Sequence, residues 1–137
     1  MVKIGRPRTT KGLAAFCGKI AQEKLADKIL ILDLSAIETA PADYFVICTC
    51  ESDIQLKSLA DRLSRKCKEL KMDKPRIEGL AGGYWVLMDF FDVVMHIMLP
   101  DARNFYQLEK LWGDAKFMRM DDQGKLISFN SKNFKYD

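Results

Sequence analysis

Three aspartates and the chain's single histidine are the residues best suited to do chemistry. Asp89 and Asp92 flank Phe90-Phe91, His96 follows four residues later, and Asp43 opens an earlier apolar run. Paired carboxylates can hold a divalent cation that handles phosphates, and an imidazole can carry a proton near neutral pH. Asp33, on a neighbouring segment, could join such a group. The set would suit a metal-dependent enzyme that transfers nucleotidyl or phosphoryl groups. The other parts of such an enzyme are missing from the sequence. No Gly-Ser turn precedes a D-x-D or D-x-E pair, there is no P-loop, and no G-x-G-x-x-G opens a helix. Gly79, Gly82 and Gly83 have a different spacing. A carboxylate pair beside a tight turn is also ordinary turn chemistry. No catalytic residue is therefore expected, and an enzyme using Asp89 and Asp92, with Asp43, is kept as the alternative.

The four cysteines, Cys17, Cys48, Cys50 and Cys67, lack zinc-site spacing, and one histidine is too few to complete a mixed site. Buried free thiols are expected, with no metal and no cofactor.

The elements that hold these residues follow from periodicity. Leu13, Phe16, Cys17 and Ile20 recur at helical spacing, which predicts a helix over 11–26 with Thr10 as its N-cap. Residues 28–34 and 43–49 read as strands. Ser52 and Gln55 have capping-box spacing, and Leu56, Leu59, Ala60, Leu63, Cys67 and Leu70 carry a helix over 53–72. Its outer face is basic; a solvated surface accounts for that as well as a phosphate or acidic-protein contact does. A third strand starts at 75–79, and the glycines at 79–83 turn the chain into a hairpin. Pro100 ends the last strand, Asp101 is the natural N-cap of a third helix, and Phe105, Leu108, Leu111 and Trp112 form its inward stripe.

With Phe90-Phe91 at the hairpin tip, Asp89 faces Asp92, Leu87 faces Val94, and Trp85 faces His96. Opposed residues share a sheet face. One face then carries Trp85, Leu87, Asp89, Asp92, Val94 and His96, and the other carries Val86, Met88, Val93, Met95 and Ile97. The second face is plain core. The first combines an aromatic, the histidine and two acids, which are groups that protein interfaces use as anchors and rim.

The expected fold is α/β (α+β), a single mixed sheet of about five strands with packed helices. At 137 residues, 48% hydrophobic and 30% charged, it fits one globular domain over 11–117. A basic arm at 1–10 reads as disordered and 118–137 as a loose tail, in which Leu126, Ile127 and Phe129 could add a short edge strand. No apolar run reaches membrane-spanning length and the basic N-terminus has no apolar segment behind it, so no membrane association and a cytoplasmic location are expected. Residues 1–24 carry six basic and one acidic side chain, whereas 25–117 carry twelve basic and fifteen acidic ones. A mildly acidic body argues against a broad nucleic-acid surface there and suits a basic protein partner.

Several of these residues also carry a family resemblance. ADYFVI at 42–47, Ser52 and Gln55, Glu78-Gly79, W-V-L-x-D at 85–89, D-V-V-x-H at 92–96 and R-x-x-Y-x-L-E-x-L-W at 103–112 resemble the Iojap-like ribosomal silencing factor family, RsfS. The likeness spans about residues 13–116 in order. Cys50 departs from it, standing where the family usually has Gly. The resemblance implies a nucleotidyltransferase-like topology without the catalytic motif. It implies a protein that is not an enzyme and takes no small-molecule substrate. It implies binding to the fourteenth protein of the large ribosomal subunit, which blocks subunit joining and represses translation when nutrients are short. Carried over by position, the partner-binding residues are Trp85, Leu87, Asp89, Asp92, Val94 and His96. The basic helix face and the arm leave room for a minor contact with ribosomal RNA.

Overall fold

A computed structural model of the chain describes residues 4–136. The first helix, α1 (Thr10–Glu23), is capped by the side chain of Thr9, which accepts the Gly12 N–H at 2.8 Å, one residue earlier than expected. Strands β1 (Asp27–Asp33) and β2 (Tyr44–Thr49) follow, then α2 (Asp53–Glu69). The Ser52 hydroxyl accepts the Gln55 N–H, while the Gln55 side chain accepts the Glu51 N–H. The reciprocal cap thus reaches back one residue further than the usual box. The Gln55 amide also donates to the Lys24 and Leu25 carbonyls, tying the start of α2 to the end of α1.

Strand β3 (Arg76–Glu78) leads through Gly79 to β4 (Trp85–Asp89) and β5 (Val93–Met98). Gly79 has φ 92°, and a Cβ there would collide with the Trp85 carbonyl oxygen. Pro100 occupies the first turn of α3 (Pro100–Tyr106), where its fixed φ suits a helix start. Leu99 is the N-cap residue, which corrects the assignment of Asp101 to that role; no side chain caps this helix. Gln107, at φ 47°, breaks the expected third helix and starts α4 (Leu108–Leu111).

The strands form one sheet in the order β3-β4-β5-β2-β1-β6-β7, where β6 is Lys116–Met120 and β7 is Leu126–Ser128. Seven strands replace the expected five or so. The stretch from 118 onward contributes the end of β6, which pairs with β1, and β7, the short edge strand expected there, which pairs with β6. Only β2 and β5 run parallel; the other pairs are antiparallel. At the other terminus Ile4 packs against the core, and residues 1–3 of the expected arm lie outside the described residues.

Two cores follow from the alternation of side chains along the central strands. Helices α1 and α2 cover one face, where Phe16, Ile20, Leu59 and Leu63 meet Val46, Cys48, Met88 and Met95. On the other face Leu32, Phe45, Ile47, Val94, Met98 and Phe117 pack with Ala102 and Leu108, with Trp112 and Phe134 at the margin. All four cysteines are buried and free. Burial pushes the Cys17 thiol well up and raises Cys67 to about 11, so both stay protonated at neutral pH. Cys50 needs no left-handed backbone and donates its N–H to the Met98 carbonyl at 2.9 Å.

The second core is pinned by Arg103, whose surface is only 2% exposed. Its Nε donates to Glu109 at 2.9 Å, Nη1 to the Thr49 hydroxyl and Nη2 to the Lys28 carbonyl, while the guanidinium lies 4.9 Å from the Phe134 ring centre. Tyr136 donates to the other Glu109 oxygen at 2.6 Å. Removing one member of a buried ion pair strands the other charge, at about 3–5 kcal/mol. Arg103→Met is therefore expected to lose about that much stability in urea denaturation. Arg103→Met with Glu109→Leu should lose less than the single variant, because no charge is left buried. A double variant weaker than the single one would contradict this account.

Candidate functional site

The β4–β5 hairpin has a different register from the one expected. Trp85 pairs with Met98, Leu87 with His96, and Asp89 with Val94, a shift of two residues. The turn causes it. Asp89 Oδ1 accepts the Phe91 N–H at 2.7 Å, a local bond that short carboxylates make two residues ahead. The Phe90 N–H reaches the Val93 carbonyl at 2.8 Å, so Phe91 and Asp92 make the tip. The Asp92 carbonyl accepts the Asp43 and Tyr44 N–H groups, which draws Asp92 out of the ladder and toward β2. Asp89 and Asp92 are therefore not a cross-strand pair.

A slip of two leaves every side chain on its original face. Trp85, Leu87, Asp89, Val94 and His96 do share one surface, alternating with buried Val86 and Met88 along β4. Their exposure differs. Trp85, Leu87 and Asp89 are half-buried and Asp92 is exposed, but Val94 and His96 lie in the second core. Asp43 is exposed, and Asp33 Oδ1 accepts from the Ser35 N–H and hydroxyl. Among the described residues no group of three His, Cys, Asp or Glu is placed to hold a metal ion. The geometry thus offers the enzyme alternative no support.

Trp85 and His96 meet as diagonal neighbours, the separation that long side chains can bridge. The indole Nε1–H donates to His96 Nδ1 at 3.2 Å, which fixes a neutral imidazole with its proton on Nε2. The Phe45 ring meets His96 edge-on at 4.5 Å. His96 Nε2 is buried without a hydrogen-bond partner among the described residues. Burial, and then the nearby Arg103 cation, lower the imidazole to about 3.

The most exposed aromatic side chains here lie outside the six residues expected by position. Phe105 was expected in an inward stripe, yet it is 79% exposed, and Leu111 is exposed too. The break at Gln107 resets the helical phase, so one stripe cannot run through both short helices. Tyr106, 44% exposed, packs its ring 4.6 Å from Trp85 and 4.9 Å from Phe105. Tyr84 joins them across an open cleft of about 610 Å³ that Glu51 and Asp101 also line. Exposed aromatic rings beside carboxylates are the kind of groups that protein interfaces use as anchors and rim. The adjacent Phe105-Tyr106 pair within R-x-x-Y was the one available signal in the sequence.

The His96 assignment has a pH consequence. Its folded value lies below the ordinary 6.5 of an unfolded chain, so the unfolded state takes up the proton first. The full contribution is present above about pH 6.5 and is lost as pH falls toward about 3, by at most about 1.4 kcal/mol per pH unit. His96→Leu is expected to flatten the dependence of unfolding free energy on pH across that window. An NMR titration giving His96 a value above 6 would refute the assignment.

The family described as "Ribosomal silencing factor during starvation" matches residues 7–135. The chain is 37% identical over 111 residues to the ribosomal silencing factor RsfS of Bacillus subtilis, covering 81% of this chain and 93% of that protein. It is also 37% identical over 98 residues to mouse "mitochondrial assembly of ribosomal large subunit protein 1", covering 66% of this chain and 42% of that one. A crystal structure of a Chromobacterium violaceum protein shares the fold with a TM-score of 0.72 and 33% identity, over 77% of this chain and 88% of that chain. With the motif-bearing hairpin and the Arg103–Glu109 helix pair lying inside the matched region, the chain belongs to the RsfS family of ribosomal silencing factors.

Proposed function

We propose that this silencing factor docks on the large ribosomal subunit through the subunit's fourteenth protein and blocks joining of the small subunit by occupying its contact area. The action is steric. A standard interface covers about 800 Å² per partner, enough to keep another surface away without any bond being made or broken. The setting is the cytoplasm of cells short of nutrients, where the effect is repression of translation.

The exposed aromatic cluster of Tyr84, Phe105 and Tyr106 around half-buried Trp85 supports this reading most directly. Tyr and Trp are the usual hot-spot residues of interfaces. Glu51 and Asp101 at the cleft rim, with Asp89 and Asp92 along the hairpin, give the acidic complement that a basic ribosomal protein needs. In this reading Trp85, Leu87, Asp89 and Asp92 belong to the contact surface. Val94 and His96 act from beneath it, and the His96 acceptor holds the Trp85 ring in place. The name of the mouse relative, an assembly protein of the large subunit, supports the large subunit as the particle bound.

Sedimentation with purified subunits tests the reading. The protein is expected to travel with large subunits and not with small ones, and to release them as salt rises. Phe105→Ala with Tyr106→Ala should weaken large-subunit binding by about 2 kcal/mol or more. Phe105 is mostly exposed, so its single variant should keep the wild-type melting temperature. Trp85→Phe keeps a ring but drops the hydrogen bond to His96, and should weaken binding less than Trp85→Ala. Equal binding to both subunits, or undiminished binding by the aromatic variants, would sink the proposal. Pull-down on the isolated fourteenth protein then decides the identity of the partner.

A further inference from the structure

We propose that the cleft between the N-terminal segment and the tip of the β4–β5 hairpin binds single-stranded RNA. This site shares no lining residue with the aromatic cleft, and Asp89 alone is common to it and to the proposed protein-contact surface. Tyr84 and Trp85 stand at the start of β4, whereas Phe91 lies beyond its end, about 13 Å of strand away.

The cleft has a volume of about 640 Å³ and draws cations from separate segments of the chain. Arg6 and Arg8 come from the segment before α1, Lys74 from the α2–β3 connection, and Arg76 from edge strand β3. All four are exposed, and none makes an ion pair among the described residues. Two carboxylates, Asp73 and Asp89, also line the cleft. One Asp89 oxygen is already engaged by the Phe91 N–H. The balance is positive, against the acidic trend of the surrounding body.

The aromatic component is Phe91, 84% exposed and at φ 77°. The Asp92 N–H closes back on the Phe90 carbonyl at 3.1 Å, so Phe91 sits at the centre of a three-residue turn in the left-handed half of backbone space. Glycine takes that conformation freely, and a bulky side chain does so at a cost. Phe90 packs on the core and anchors the tip, but Phe91 belongs to neither core. A strained, unburied aromatic gains nothing from folding, and strain of this kind concentrates where a site needs a fixed group.

An exposed ring beside unpaired guanidinium and ammonium groups matches one ligand chemistry well. Bases stack on aromatic faces while cations track the phosphates. The bases must be unpaired, because a duplex hides their faces. The inference does not depend on the protein-docking reading and is tested without ribosomes.

The experiment is fluorescence anisotropy with a labelled twelve-nucleotide single-stranded RNA, the same sequence as a duplex, and an acidic peptide. The wild-type protein should bind the single strand in preference to both. Phe91→Gly removes the ring and relaxes the backbone, so it should weaken RNA binding roughly tenfold while raising the melting temperature. A residue kept for structure alone could not give that opposed pair of changes. Arg8→Ala with Arg76→Ala should lower the slope of log affinity against log salt by about 1.4, since each phosphate contact to a single strand contributes about 0.7. Lys132→Ala, which removes a cation outside the cleft, should leave RNA binding unchanged. Absence of RNA binding, equal or tighter binding of the duplex, full affinity in Phe91→Gly, or preference for the acidic peptide would each overturn the proposal.

Discussion

The buried guanidinium of Arg103 is the constraint on which the functional half of the molecule depends. Each of its three donor nitrogens goes to a different element: Glu109 of α4, Thr49 at the end of β2, and the Lys28 carbonyl at the entry to β1. Lys28 sits at φ 48° beside a register irregularity in β1, with its carbonyl taken up by the arginine. Tyr136 completes the second Glu109 oxygen and Phe134 lies against the cation. A charge this deep costs free energy through desolvation, and only a full set of partners offsets that cost. The arrangement therefore tolerates little displacement. It locks two helices, too short to be stable alone, onto the sheet, and in doing so sets Tyr106 against Trp85.

A second level of order lies at the Trp85–His96 contact. The imidazole accepts the indole N–H while staying neutral, because burial and the Arg103 cation both oppose its protonation. The same arginine thus positions the helix that carries the aromatics and holds the histidine in the form that can accept. Leaving His96 Nε2 without a partner among the described residues has a cost as well. The buried network spends stability on the orientation of one half-exposed ring, a pattern more typical of a recognition surface than of a core.

The two ends of β4 have different characters. At the Trp85 end a cleft combines aromatic rings with carboxylates, which suits a basic protein surface. At the Phe91 end a cleft combines one strained ring with four cations, which suits a polyanion. A ribosomal subunit presents both kinds of surface. A small domain that engages both would fix its orientation as well as its location, which matters if the proposed steric action holds. Occupying contact area blocks a neighbour only if the bound domain cannot pivot away.

Much of this was legible in the sequence, for identifiable reasons. The helical period of Leu56, Leu59, Leu63 and Cys67, with the Ser52 and Gln55 cap, determined α2 because local bonds and a single apolar face suffice to define a helix. Strand parity determined which residues of the hairpin share a face, and that survived a wrong register because a slip of two preserves it. The motif at 103–112 carried the family resemblance, although its Arg and Glu gave no hint of being buried partners. The tertiary structure alone decided the rest. The register depended on Asp89 capping its own turn and on Asp92 being drawn to β2, a contact with residues almost fifty positions away. The short edge strand expected around Leu126 and Ile127 is β7, but β6 has weak periodicity of its own and exists because β1 offers an edge to pair with. The exposure of Phe105 and the burial of Val94 and His96 followed from where Arg103 anchors the C-terminal helices. Alternation along a strand specifies two faces, but only the segments packed over them decide which face meets water.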